Sequence, residues 1–183
     1  MLMEQIINTA VEALRAGKTI LYPTDTIWGI GCDARNSEAV ERLYAIKERD
    51  RSKSMLVLVE NGEWRVESGE RPTTYILPRE VWEPVLGVSI APNLPADDGT
   101  LGVRVPAHEF CMQVIKLLGA PLVSTSANLS GQPSPATYSD ITPELMRRVD
   151  YCVPPLPEFL SGETRGSRIV KVASDGTMTV LRP

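Results

Sequence analysis

The sequence predicts an α/β or α+β domain built on a mixed sheet with flanking helices. Three observations point there. Apolar residues at helical spacing alternate irregularly with short apolar runs of strand length. The chain closes on two such runs separated by an Asp-Gly turn, the signature of a hairpin. Apolar residues make up 43% and charged residues 23%, which places the chain among globular proteins and away from disordered ones. A length of 183 residues suits one domain spanning 1–183. A domain of that size buries roughly 70% of the surface its unfolded form exposes, enough for a core without staples.

Taken in order, residues 4–16 put Ile6, Ile7, Ala10, Val11 and Leu14 on one helical face, and Gly17 supplies the stop. Lys18–Tyr22 reads as a strand ended by Pro23. The polar loop Pro23-Thr24-Asp25-Thr26 leads to Trp28-Gly29-Ile30-Gly31. Asn36 or Ser37 caps a second helix whose inner face carries Val40, Leu43, Tyr44 and Lys47. Met55–Val59 is continuously apolar, as a buried central strand requires. Residues 60–72 are polar and without period. Thr73–Leu77, Val85–Ile90 and Leu101–Val105 read as strands, with a proline-rich loop before the last. Helix 107–118 buries Phe110, Val114 and Leu118 and stops at Gly119. Pro121–Thr125 is a further strand, and Thr142-Pro143-Glu144 starts a further helix. The closing hairpin pairs 167–172 with 177–182.

Several function classes fall away on composition. The only histidine is His108, so no His-His metal cluster exists. The three cysteines, Cys32, Cys111 and Cys152, form no Cys-x-x-Cys, which fits neither a zinc ribbon nor a disulfide framework and suits a reducing cytoplasm. Apolar runs of about five residues fall far short of the roughly 20 that span a bilayer, so no membrane partner is expected. A net charge of −4 argues against a general nucleic-acid coat but leaves room for a local basic patch.

Such a patch is present. Lys47-x-Arg49-x-Arg51-x-Lys53 puts four cations in seven residues where a helix ends and a buried strand begins. Cations there offset the helix dipole. The alternating spacing is not the i, i+4 of a charged helix face, however, so an anionic ligand such as a triphosphate is the competing reading. A second feature, Ser124-Thr125-Ser126-Ala127-Asn128-Leu129-Ser130-Gly131, follows a strand; it is either a self-satisfied Ser/Asn loop or an anion-binding nest. The third, Pro23-Thr24-Asp25-Thr26, is either an Asx-capped turn or a ligand loop at a strand's carboxyl end. Gly29-x-Gly31-x-x-Ala34 lacks the preceding strand of a dinucleotide fingerprint. His108 has no partner in the sequence and reads as structural. With no nucleophile–base motif, chemistry here relies on electrostatics and positioning.

Together, LYPTDTIWGIGCDA (21–34), IKERDRSK (46–53), GTLGVRVP (99–106) and PLVSTSANLSGQPSPAT (121–137) resemble the YrdC family of threonylcarbamoyl-AMP synthases; SRIVKV and TVLRP at the end match more weakly. The resemblance implies a twisted mixed sheet with a large concave cavity. It implies condensation of L-threonine, bicarbonate or CO2, and ATP into threonylcarbamoyl-adenylate with release of pyrophosphate, and Mg2+ held by the phosphates. It further implies supply of tRNA threonylcarbamoyl-adenosine modification, a downstream tRNA threonylcarbamoyl transferase complex, and contact with tRNA or double-stranded RNA. The family's Lys-x-Arg and Ser-x-Asn signature falls on Lys47, Arg49, Ser126 and Asn128 as the catalytic set. Lys53, Thr100, Ser134 and Arg182 join Arg49 and Ser126 as ATP contacts. Threonine is gripped by Thr26, Arg104, Ser124 and Ser167. The chain departs from the family's usual residues at Asp50, Ser54, Leu58, Arg168 and Lys171, and 60–75 is short. These changes motivate one alternative, an RNA-binding paralogue without synthase activity.

Overall fold

Helix α1 (Leu2–Arg15) buries Ile6, Ile7, Ala10, Val11 and Leu14, the five apolar positions of its predicted face. The fold is that of a computed structural model, which describes residues 1–50, 55–61, 71–160 and 162–183. After α1 come strands β1 (Ile20–Tyr22) and β2 (Gly29–Gly31), helix α2 (Ser37–Lys47), and strands β3 (Leu56–Leu58) and β4 (Thr73–Leu77). Helix α3 (Arg79–Leu86), β5 (Leu101–Arg104), α4 (Glu109–Leu118), β6 (Leu122–Ser126), α5 (Pro143–Arg148), β7 (Tyr151–Cys152), β8 (Arg168–Val172) and β9 (Met178–Arg182) follow. Asn36 caps α2 by accepting from the Ala39 N–H, and Thr142 caps α5 by accepting from that of Leu145, with Pro143 at its first position.

The strands form one mixed sheet in the order β7-β1-β2-β6-β3-β5-β4-β8-β9. Strand β3 lies in the middle, as the apolar run Met55–Val59 predicts. It runs parallel to β5 and antiparallel to β6. Helix α1 packs on α4 and β1, α2 on β2, and α3 on β5. Among the described residues no helix is long and apolar enough to cross a membrane.

One expectation changes. Val85–Ile90 is not a strand: α3 occupies 79–86, and Gly87, at φ +63°, ends it. Val85 and Val88 are each 37% exposed, while Trp82 is buried and donates its indole N–H to the Gly99 carbonyl at 2.9 Å. The tryptophan anchors a helix where the β-branched residues suggest a strand. Gly29-Ile30-Gly31, discounted in the sequence as a dinucleotide fingerprint, is itself a strand, between β1 and β6. Its glycines serve close approach rather than phosphate binding. A Cβ on Gly31 would lie 1.8 Å from the Val123 carbonyl oxygen, and one on Gly29 would lie 3.2 Å from the Ser124 hydroxyl.

Backbone rather than a flexible side chain blocks the Gly31 position, so Gly31→Ala has no cheap relaxation. Denaturant unfolding of the purified variant is expected to show a loss of more than about 3 kcal/mol or no folded protein at all. A wild-type midpoint contradicts this placement of β2.

Candidate functional site

The strand register builds the floor of a cavity. Leu56 pairs with Gly102 on one side and Ser124 on the other; Ile76 pairs with Gly102, and Thr74 with Ile169. Successive residues of a strand point to opposite faces, so Thr74 and Ile76, Arg104, and Ser124 and Ser126 present side chains to one face, with Gly102 leaving its place on that face open. These residues line a cavity of about 230 Å³, with Thr26 and Trp28 from the loop after β1, Gly29 from β2, Arg49 from beyond α2, and Ser134, Gly166, Ser167 and Arg182 closing it.

The loop 23–28 is shaped by one hydroxyl. Thr24 Oγ1 donates to the Ile27 carbonyl at 2.8 Å, accepts the Thr26 N–H at 3.0 Å, and lies 3.0 Å from Thr26 Oγ1. That holds Thr26 against Arg104, whose Nη1 donates to Thr26 Oγ1 at 3.1 Å. On the opposite side, Arg182 donates Nε and Nη2 to the Ser167 carbonyl at 2.8 and 2.6 Å. The Ser167 hydroxyl meets that of Thr74 at 2.7 Å.

Lys47 is 2% exposed and lies behind the wall rather than in it. Its Nζ donates to the Ser126 carbonyl at 2.7 Å and to Ser126 Oγ and Asn128 Oδ1 at 3.3 Å each. The Ser130 N–H donates back to the Lys47 carbonyl at 2.9 Å. The end of α2 and the loop after β6 are thereby clamped together, and Ser126 Oγ also donates to Asn128 Oδ1. Arg49 reaches Thr125 Oγ1 at 3.4 Å. Burial, reinforced by the charge of Arg49, pushes the Lys47 ammonium down to about 8. Burial likewise lowers Arg49, and it lowers Arg182 together with the charges of Arg71 and Arg104. A site whose cations are all either desolvated or crowded by other cations is built to receive an anion.

Of the residues singled out in the sequence, Thr26, Arg49, Arg104, Ser124, Ser126, Ser134, Ser167 and Arg182 meet at the cavity wall. Lys47 and Asn128 stand behind it. Thr100 does not join them: its N–H and hydroxyl both donate to Asp98 Oδ1, at 3.0 and 2.6 Å, outside the lining residues. Lys53 and Ser54 lie outside the described residues. Lys171 pairs with Asp98 at 3.7 Å on the surface. His108 caps α4, with Nε2 3.2 Å from the Phe159 carbonyl, away from the cavity. Sequence reasoning passed over Thr74, Trp28 and Arg71. A buried threonine in a strand carries no signal of its own; only the register sets Thr74 beside Ser167.

A cationic cavity on one face of a twisted mixed sheet, walled by hydroxyls and arginines, defines an anion-binding α/β protein for small phosphorylated or carboxylated ligands. The chain belongs to the Sua5/YciO/YrdC family, whose model, described as "Telomere recombination", matches residues 12–183. It is 31% identical to the threonylcarbamoyl-AMP synthase of Stenotrophomonas maltophilia over 89% of either chain. It is 36% identical to that of Xanthomonas campestris pv. campestris over 79% of this chain and 82% of the relative. Among solved structures, Sua5 of P. abyssi complexed with L-threonine superposes with a TM-score of 0.75 at 26% identity, covering 97% of this chain and 53% of that one. The chain thus spans about half the length of that Sua5 protein.

The depressed Lys47 ammonium carries a pH signature. Below about pH 8 it is charged and an anion in the cavity is favoured; above it the charge is lost. Binding of sulfate, whose own charge is constant in this range, is expected to weaken about tenfold between pH 7 and 9. Lys47→Arg should flatten the profile in calorimetric titrations.

Proposed function

We propose that the protein is a threonylcarbamoyl-AMP synthase, condensing L-threonine, bicarbonate or CO2, and ATP into threonylcarbamoyl-adenylate and pyrophosphate. The observation that carries the reading is the convergence of Arg49, Arg104 and Arg182 on one hydroxyl-lined cavity, with Lys47 clamped behind it. Curated relatives at this similarity bear that name along most of their length.

The chemistry suits the residues. The amine of L-threonine loses its protons to solvent and adds to CO2, which bicarbonate yields with loss of water; the resulting carbamate is an anion, so its oxygen attacks the α-phosphorus of ATP without a histidine base as pyrophosphate leaves. Arg49 and Ser126 face the phosphates, and Lys47 holds Ser126 and Asn128 in place while adding its charge. Arg104, supported by Thr26, offers a planar fork to the threonine carboxylate. Ser124 and Ser167 complete the amino-acid end, and Ser134 and Arg182 the nucleotide end. Among the described residues no group of three His, Cys, Asp or Glu side chains stands ready to hold a metal. Mg2+ rides on the ATP phosphates and neutralises their charge, as it does for nucleotide phosphates generally. The adenylate is taken up by a downstream tRNA threonylcarbamoyl transferase complex in the cytoplasm, where the free thiols Cys32, Cys111 and Cys152 are stable.

Pyrophosphate release is expected to require L-threonine, bicarbonate, ATP and Mg2+ together; release independent of threonine overturns the reading. Arg49→Ala should lower turnover by at least about a hundredfold while leaving the circular-dichroism spectrum unchanged. L-serine differs from threonine by one methyl group and should be used with a kcat/KM roughly 10- to 200-fold lower, measurable in the same assay.

A further inference from the structure

We propose that Asp25 is the positioning residue for Arg104, setting the guanidinium that receives the carboxylate of the amino-acid substrate. The inference rests on the synthase reading for the ligand's identity and on geometry for the rest. The side chains of Asp25 and Arg104 are 8% and 4% exposed, and Arg104 Nη2 lies 3.5 Å from Asp25 Oδ1. Arg104 and Thr26 line the cavity and Asp25 does not, so the carboxylate stands behind the arginine rather than before the ligand. Asp25 is fixed in turn: its Oδ2 accepts the Ala107 N–H at 3.0 Å. It therefore ties the loop after β1 to the connection between β5 and α4, the two segments that flank Arg104.

Two buried atoms here lack a hydrogen-bond partner, Arg104 Nε and Asp25 Oδ1. At 3.5 Å the pair is an ion contact rather than a hydrogen bond, so Asp25 holds the charge in place without consuming a donor. Of the five guanidinium N–H groups, one goes to Thr26 Oγ1, and Nε–H remains open. Because Nε is buried, a planar carboxylate in the cavity would be met by the remaining Nη N–H groups. An unneutralised arginine at this depth would be costly in the empty protein, and Asp25 offsets part of that cost. The adjoining side chains also exclude water: Cys111, buried, donates its thiol to the Pro23 carbonyl at 3.2 Å.

Asp25→Asn keeps an acceptor for the Ala107 N–H and deletes only the charge. The KM for L-threonine is expected to rise roughly tenfold to a hundredfold, with the KM for ATP held within about twofold. In an Arg104→Gln background the same substitution should produce no further loss of threonine affinity, and Asp25→Glu should recover part of it. Equal rises in both KM values, no rise in either, or full additivity with Arg104→Gln overturns the proposal. If Asp25→Asn does not fold, Asp25→Glu carries the test: its threonine KM must rise while its ATP KM stays fixed. A wild-type protein that does not bind L-threonine contradicts the synthase reading alone. The Arg104 Nε–H resonance then decides the positioning: it should be sharp in wild type and broadened in the Asp25 variant, and an unchanged line overturns it.

Discussion

The lysine at the end of α2 is the contact on which the site depends. Lys47 sits almost fully out of water, and its three ammonium hydrogens are met by Ser126 O, Ser126 Oγ and Asn128 Oδ1. Keeping it charged at neutral pH costs the fold on the order of 3 kcal/mol, given an ammonium depressed to about 8. Three acceptors of one segment offset part of that cost. What results is a rigid joint between a helix terminus and the loop after the central antiparallel strand. Thr125 and Ser126 reach the cavity from one side of the joint, and Arg49 from the other.

The cavity is a consequence of register rather than of loop design. Alternation along β4, β5 and β6 sends Thr74, Ile76, Gly102, Arg104, Ser124 and Ser126 to one face, and pairing through Leu56 aligns them in rows. Gly102 keeps the middle of that floor low: a Cβ there would come within 3.0 Å of the Leu56 side chain. Slipping any of these strands by one residue would turn its polar set away from the ligand. The arginines then reach inward from the rim, where desolvation holds Arg49 below its ordinary value, and desolvation with the charges of Arg71 and Arg104 does the same to Arg182. Stability is given up at the site to create a strong field, which a phosphate or carboxylate ligand relieves.

Much of this organisation was legible before the fold was known. The stripe of α1, the caps at Asn36 and Thr142, the buried run at Met55–Val59 and the closing hairpin each rest on local rules, and each is present. Local rules failed where distant partners decide. Gly29-Ile30-Gly31 has poor strand propensity and becomes a strand because β1 and β6 flank it at a spacing only glycine tolerates. Val85 and Val88 suggest a strand, but α3, anchored by Trp82 to the Gly99 carbonyl, takes Val85 into its last turn and ends at Gly87, before Val88.

The same division holds for the site. Sequence alone determined the chemical inventory: a Lys-x-Arg pair at a helix end, a Ser-x-Asn loop after a strand, Arg104, which the family resemblance assigned to the threonine end, and no histidine able to serve as a base. Whether those cations meet, and which touch the ligand space, was decided by tertiary structure. It set Lys47 behind the wall, left Thr100 bonded to Asp98, brought Thr74 to Ser167, and stood Asp25 behind Arg104. The reason is physical. Residue type and spacing define what a short segment can do alone, whereas depth, charge pairing and register arise only when segments far apart in the chain exclude water from one another.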